Sequence, residues 1–255
     1  MAHAFFWYDV MTSDTKAALE FYSSVVGWGV SDGGAPHEME YTLLTVDGVG
    51  VAGVMPIPVD ATKMGVPPAW MGYIHVDDVD AMAKRITAEG GKVMKEPVTV
   101  PNTIRFAVVA DPQGAGFLIA QPLRKDAPTW PAPGTPGTIG WHELFASDMK
   151  TALPFYEKLF GWTKADALDM GPMGTYQLFA AGQAPIGGMM TKTAEIPAPF
   201  WNYYINVPSV SAAAQKVTAG GGRIAMGPDE VPGGRWILRC FDPQGAFFAL
   251  LSPTK

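Results

Sequence analysis

The chain holds a single cysteine, Cys240, among 255 residues. One cysteine excludes an intramolecular disulfide framework and every Cys-rich zinc site. Charge is scarce as well. Asp, Glu, Lys and Arg make up 16% of the chain, and 18 basic residues face 24 acidic ones. A partner with a phosphate backbone requires a basic stripe, so no nucleic-acid partner is expected. No apolar run approaches the ~20 residues that cross a bilayer. Residues 1–10 lack a basic start followed by an apolar segment and a cleavage site, so no secretory signal is expected. Neither membrane attachment nor export is expected, and a cytoplasmic location is the default. What the chain does have is apolar residues, at 48%. That fraction can bury a large core and excludes the disordered class.

The sequence repeats itself once. Residues 14–28 read DTKAALEFYSSVVGW and residues 148–162 read DMKTALPFYEKLFGW, an offset of 134. Residues 111–122, DPQGAGFLIAQP, match residues 242–253, DPQGAFFALLSP, at an offset of 131. A period near 130 is too long for a solenoid and indicates two copies of one module. Between them, residues 124–137 read RKDAPTWPAPGTPG, whose four prolines favour extended, semi-rigid backbone. The expected division is a first module over 1–123, a Pro-rich linker over 124–137 and a second module over 138–255.

Inside each module the pattern is strand, helix, strands, repeated. Residues 5–10 form an apolar-aromatic run suited to a strand. Asp14 or Ser13 can cap the helix that follows, whose apolar residues Ala18, Leu19, Tyr22, Val25 and Val26 recur at helical spacing. Gly27 fits a left-handed C-terminal position, and Gly161 does so in the copy. Residues 41–46 and 49–55 are strand-like and broken by Asp47-Gly48, a hairpin signal. Residues 73–76 form a strand, and Val79, Met82, Ala83 and Ile86 form a second helical stripe. Residues 104–110 and 116–121 are two more strands, joined by the turn Asp111-Pro112-Gln113-Gly114.

This order, with the F-Y…G-W and D-P-x-G signals, resembles the vicinal-oxygen-chelate superfamily. That superfamily includes glyoxalase I, bleomycin- and fosfomycin-resistance proteins and ring-cleaving extradiol dioxygenases. The resemblance covers nearly the whole chain, twice. It is closest to two-module members in which a short Trp-containing run precedes the helix, here Trp7-Tyr8-Asp9-Val10 and Trp141-His142-Glu143-Leu144. It implies an α+β fold of tandem βαβββ units forming two incomplete-barrel modules, packed as a pseudo-dimer within one chain. In metal-dependent members His, Gln or Glu ligands come from the first strand, the strand before the second helix and the strand after D-P-x-G. Those positions fall here on Trp7, Met71 and Leu118, and on Trp141, Asn202 and Ala249. Indole is a donor only, thioether is a soft ligand, the Asn202 amide is a weak one, and Leu and Ala offer nothing. No metal and no other cofactor is expected.

The candidate site residues follow from strand alternation. Met71, Tyr73 and His75 share a face that the resemblance turns toward the pocket, and the copy offers Asn202, Tyr204 and Asn206. Trp7 and Asp9 share a face, as do Trp141 and Glu143, with Tyr8 and His142 pointing the other way. The expected ligand-binding set is therefore Trp7, Asp9, Tyr73, His75, Trp141, Glu143, Tyr204 and Asn206. Each has a plainer alternative. His75 is equally a hydrogen-bonded core histidine, and Asp9 and Glu143 can simply accept bonds that hold the barrel. If Asp9, Glu143 and His75 converge, they form an unorthodox metal site or an acid–base pair. His3 and His37 read as bystanders. Gly53 and Gly188 mark places where the backbone passes close to something. Arg105, Arg235 and Arg239 can meet an anion or serve in surface ion pairs. Cys240 reads as a buried, inert thiol.

Besides an interaction or scaffold module, which would show an exposed apolar patch and no enclosed cavity, two functional expectations result. One is a protein that binds a small, partly aromatic molecule without the superfamily's metal. The other is a metal-dependent glyoxalase-like lyase or ring-cleaving dioxygenase with displaced ligands such as His75 and Glu143. The sequence assigns no catalytic residue and leaves the oligomeric state open.

Overall fold

A computed structural model describes residues 3–33, 40–124 and 129–255. His37 lies outside the described residues. The first repeat runs β1 (Phe5–Thr12), α1 (Thr15–Val26), β2 (Gly29–Asp32), β3 (Thr42–Val46), β4 (Val49–Pro56), a short α2 (Val59–Lys63), β5 (Ala69–His75), α3 (Val79–Ala88), β6 (Lys92–Val100), β7 (Ile104–Ala110) and β8 (Gly116–Pro122). The second runs β9 (Ile139–Ala146), α4 (Met149–Phe160), β10 (Thr163–Asp169), β11 (Thr175–Ala180), β12 (Pro185–Thr191), β13 (Phe200–Asn206), α5 (Val210–Ala219), β14 (Arg223–Val231), β15 (Arg235–Phe241) and β16 (Phe247–Ser252).

These strands make two eight-stranded mixed sheets of the same design. The orders are β2-β3-β4-β1-β5-β8-β7-β6 and β10-β11-β12-β9-β13-β16-β15-β14. In the first sheet β1 runs parallel to β4 and β5 parallel to β8, while the hairpin neighbours are antiparallel. With the helices, this is the α+β arrangement expected from the pattern. No helix among the described residues is long and apolar enough to cross a membrane.

Local chemistry explains the helix ends. Asp14 and Asp148 cap α1 and α4 by accepting backbone N–H bonds, and Gly27 and Gly161 close them in the left-handed region at φ 89° and 70°. The hairpin between β3 and β4 places both Asp47 and Gly48 at positive φ, as a tight two-residue turn requires. Strands β2 and β6 give no such signal in the sequence. Every residue of β2 is exposed and β6 is largely so, so neither carries an alternating apolar pattern.

The compact units do not coincide with the repeats. One unit comprises Met1–Trp7, Met71–Ala127 and Trp141–Asn202, and the other Tyr8–Trp70, Pro128–Gly140 and Tyr203–Lys255. Each therefore takes one half from each repeat. In one, α3 of the first repeat packs on α4 of the second; in the other, α1 packs on α5.

The repeated motifs are what join these halves. Tyr22 donates from its hydroxyl to Asp242 Oδ2 at 3.0 Å, and Tyr156 donates to Asp111 Oδ2 at 3.0 Å. Trp70 and Trp201 in turn donate to those tyrosine oxygens at 2.8 and 3.1 Å. The other carboxylate oxygen of each Asp accepts two backbone N–H bonds, from the Gln of its D-P-Q-G turn and from the Ala that follows the turn. The G-W tryptophan follows the same rule, with Trp28 Nε1 donating to Gly137 O and Trp162 Nε1 to His3 O. In the Tyr22–Asp242, Tyr156–Asp111 and Trp162–His3 pairs, a motif from one repeat holds a segment of the other.

Candidate functional site

In the first unit the three positions that the resemblance assigns to metal ligands come together. Leu118 and Tyr73 are buried in one apolar cluster, against which Trp7 and Met71 pack. Phe6, Ile104, Phe106 and Val108 complete it. Tyr73 and Leu118 stand opposite one another in the parallel β5–β8 register, and the Tyr73 and Phe106 rings lie 6.3 Å apart. The geometry that would gather a cation's ligands is present, but the side chains gathered are indole, thioether and isobutyl. Among the described residues no three His, Cys, Asp or Glu side chains are grouped to hold a metal ion. Trp7, Met71 and Leu118 do not fit the cation of the metal-dependent members.

His75 lies at the edge of this face, half-buried, with Phe6 edge-on at 6.0 Å. Burial pulls its pKa below the usual histidine value, so the ring is neutral near pH 7. Its backbone carbonyl is bonded to the His3 ring at 3.0 Å, which ties down a residue read as a bystander.

The same unit contains Trp141 and Glu143 on β9. Trp141 Nε1 donates to the Tyr176 hydroxyl at 2.8 Å. Glu143 is 2% exposed, and Asn202 Nδ2 donates to its Oε2 at 3.5 Å. Asn202 Oδ1 is buried without a hydrogen-bond partner among the described residues. His142 points away from this pair, as alternation requires. It is bonded through Nδ1 to Ile186 O at 2.7 Å and stacks on Phe5 at 4.6 Å. Burial lowers its pKa to about 4.

In the second unit Asp9 is 3% exposed and accepts from the Tyr41 hydroxyl at 2.7 Å. Tyr41 and Tyr176 are the functional candidates that sequence reasoning missed. Their signal was the repeat: both precede the second hairpin strand, and both face a repeated glycine. A Cβ at Gly53 would lie 2.1 Å from the Tyr41 hydroxyl and 2.4 Å from Asp9 Oδ1. At Gly188 it would lie 2.2 Å from the Tyr176 ring. The close approach expected at both glycines is thus made by a tyrosine lying across the strand.

Tyr204 and Asn206 are each 2% exposed in this second unit. Arg239 Nε donates to the Tyr204 hydroxyl at 2.9 Å, and Arg235 Nη2 donates to Asn206 Oδ1 at 2.8 Å. Arg105, in the other unit, is a surface residue that grips Asp80 through two bonds of 2.6 and 2.7 Å. Cys240 is free and buried, its thiol pushed up to about 12 by burial. Two surface depressions, of about 240 and 690 Å³, are lined by residues around Lys150 and Lys164 and around Lys84 and Lys92. Neither includes a predicted site residue.

The sequence pattern of the Glyoxalase/Bleomycin resistance protein/Dioxygenase superfamily matches residues 3–119 and again 138–250. The chain belongs to that superfamily, as a two-module member. CFP32 of Mycobacterium tuberculosis (strain CDC 1551 / Oshkosh), provisionally named a glyoxylase, is 34% identical over 250 residues, covering 97% of this chain and 94% of the relative. Anthracycline biosynthesis protein DauV of Streptomyces sp. (strain C5) is 29% identical over 256 residues, covering 96% and 91%. The crystal structure of a Mn(II)-bound glyoxalase from Novosphingobium aromaticivorans shares the fold with a TM-score of 0.68 at 16% identity, covering 100% of this chain and 83% of that one.

Proposed function

We propose that this protein binds a small, partly aromatic molecule against the aromatic-lined faces of its sheets, without the metal that metal-dependent relatives carry. One observation carries the reading: Trp7, Met71 and Leu118 meet as neighbours of Tyr73, so the ligand corner of the superfamily is an apolar surface here. Flat rings gain from stacking and from burial against such a surface. Asn202 Oδ1 in the same unit is a buried acceptor without a partner among the described residues. The names of the relatives, glyoxylase and anthracycline biosynthesis, also concern small organic molecules.

The test is calorimetry of the dialysed protein with 1-naphthol, alongside metal analysis and mass spectrometry of any small molecule that co-purifies. Saturable binding is expected, weakened roughly tenfold in Tyr73→Ala, with metal well below one ion per chain. A stoichiometric cation held by side chains, or no binding of the probe, would overturn the reading.

A further inference from the structure

The two repeats present unlike chemistry at equivalent places. At the 131-residue offset, Tyr204 falls on Tyr73, Asn206 on His75, Arg235 on Ile104 and Arg239 on Val108. Ile104 and Val108 pack against the apolar cluster of the first repeat. In the second repeat their places are taken by arginines. Tyr204 and Arg239 both stand opposite Ala249 on β16, and Asn206 and Ile237 both stand opposite Leu251. Alternation along β15 then brings Arg235 and Arg239 to the face that carries Tyr204 and Asn206.

Arg235 is half-buried, and among the described residues the one hydrogen bond of its guanidinium is to a neutral group, Asn206 Oδ1. Asn206 is itself held in one orientation. Its Nδ2 donates to Thr138 O and to Thr138 Oγ1, each at 3.0 Å, while the Thr138 hydroxyl donates onward to Thr135 O at 2.7 Å. A Cβ at Gly140 would lie 2.5 Å from Asn206 Oδ1, so a glycine is what lets the amide sit there. This chain of bonds aims the amide oxygen at Arg235. Among the described residues no carboxylate pairs with that guanidinium. The carboxylates nearest in sheet register, Asp229 and Glu230, stand opposite Ile237 and Trp236, and neither takes part in an ion pair with it. Burial without a counter-charge pulls the Arg235 pKa below the usual guanidinium range. Arg105 shows the contrast, since Asp80 satisfies it. A guanidinium has five N–H donors in a planar fork, of which Arg235 uses one. The unused donors match a carboxylate or phosphoryl group in two-point geometry.

We propose that the β13–β15 face of the second repeat is an anion site, in which Arg235, oriented by Asn206, binds the carboxylate or phosphoryl group of a small ligand. Asn206 is a positioning residue, because it reaches the anion only through the arginine. The proposal does not depend on the aromatic-binding reading, and the experiment separates the two.

The full chain, labelled with 15N, is titrated with acetate and with inorganic phosphate at constant ionic strength, chloride serving as the balance anion. The arginine Nε–Hε signals are followed by NMR. The Arg235 signal is expected to shift saturably with at least one of the two probes, while the signal of Arg105 does not. Tighter acetate binding marks a carboxylate ligand, and tighter phosphate binding a phosphoryl ligand. In Arg235→Met the saturable response of the neighbouring backbone amides should vanish, and in Asn206→Ala the apparent affinity should fall roughly fivefold. An Arg235 signal that does not saturate, or that moves no more than that of Arg105, would overturn the proposal. That comparison needs only the wild-type chain, so it stands even if a variant fails to fold. Loss of 1-naphthol binding with the Arg235 response intact would sink the aromatic reading alone.

Discussion

Asp9 and Glu143 hold equivalent places on β1 and β9, and both are almost wholly buried. A buried carboxylate needs donors, and the donors differ between the two: a phenol for Asp9, a side-chain amide for Glu143. Tyr41→Phe removes a donor from a buried carboxyl group, whereas Tyr176→Phe removes a bond between two neutral groups. The first should cost about 1.5–3 kcal/mol and the second about 0.5–1.5 kcal/mol, as read from urea unfolding midpoints at pH 7. Equal losses would contradict the assignment. His142 gives a pH signature. Its folded pKa of about 4 lies below the ordinary 6.5 because burial opposes the charged ring. Between those values the unfolded chain binds more protons, so this residue's contribution to stability is complete above pH 6.5 and declines as pH falls toward 4. The full loss is on the order of 3 kcal/mol. Asp111 and Asp242, raised by burial, act in the opposite sense, their contribution fading as pH rises through their folded pKa values. A His142→Gln variant isolates the histidine. Its unfolding free energy should change less between pH 7 and pH 4.5 than that of the wild type.

At the scale of elements, the hairpins β3–β4 and β11–β12 each place a glycine beneath a tyrosine ring. Gly53→Ala must displace Tyr41 or shift the strand, at a cost of about 1–3 kcal/mol. The clash is with two side chains, Tyr41 and Asp9, rather than with backbone, so removing the tyrosine should relieve part of it. In a double-mutant cycle Gly53→Ala is expected to cost markedly less in a Tyr41→Ala background, a coupling of about 1 kcal/mol or more. Additive losses would show that the glycine is needed for another reason. These elements also mark what could be read in advance. Helices α1 and α4 were legible because an Asp cap, an apolar stripe and a closing glycine agree. Strands β2 and β6 were not, because exposed edge strands carry no buried face to impose a pattern. Gly53 and Gly188 were recognisable as close-approach points, but Tyr41 and Tyr176 were not. Nothing local in the sequence says which ring crosses which strand.

For the whole molecule, the partner of each motif lies in the other repeat. Tyr22 bonds Asp242 and Tyr156 bonds Asp111, each inside a different compact unit. A fragment of residues 1–123 would contain Tyr22 and Asp111 with neither partner, and α1 without α5. Expressed alone, it should not be a folded monomer; a dimer, in which two copies exchange halves, or an unfolded chain is the expected result. Light scattering with circular dichroism would decide, and a stable folded monomer would refute the pairing. The sequence by itself determined that there are two copies of one α+β module, because internal repetition and local capping survive in one dimension. It also determined which side chains stand where the resemblance expects ligands, namely indole, thioether and aliphatic groups and the Asn202 amide, because residue identity at a fixed spacing is a property of the chain. Only the tertiary structure decided which copy satisfies which buried group, that tyrosines lie across the repeated glycines, and that Arg235 sits half-buried without a carboxylate among the described residues. The physical reason is that hydrogen-bond partners are chosen by distance in space. Residues that meet here are as far apart in sequence as Tyr22 and Asp242, separated by 220 positions.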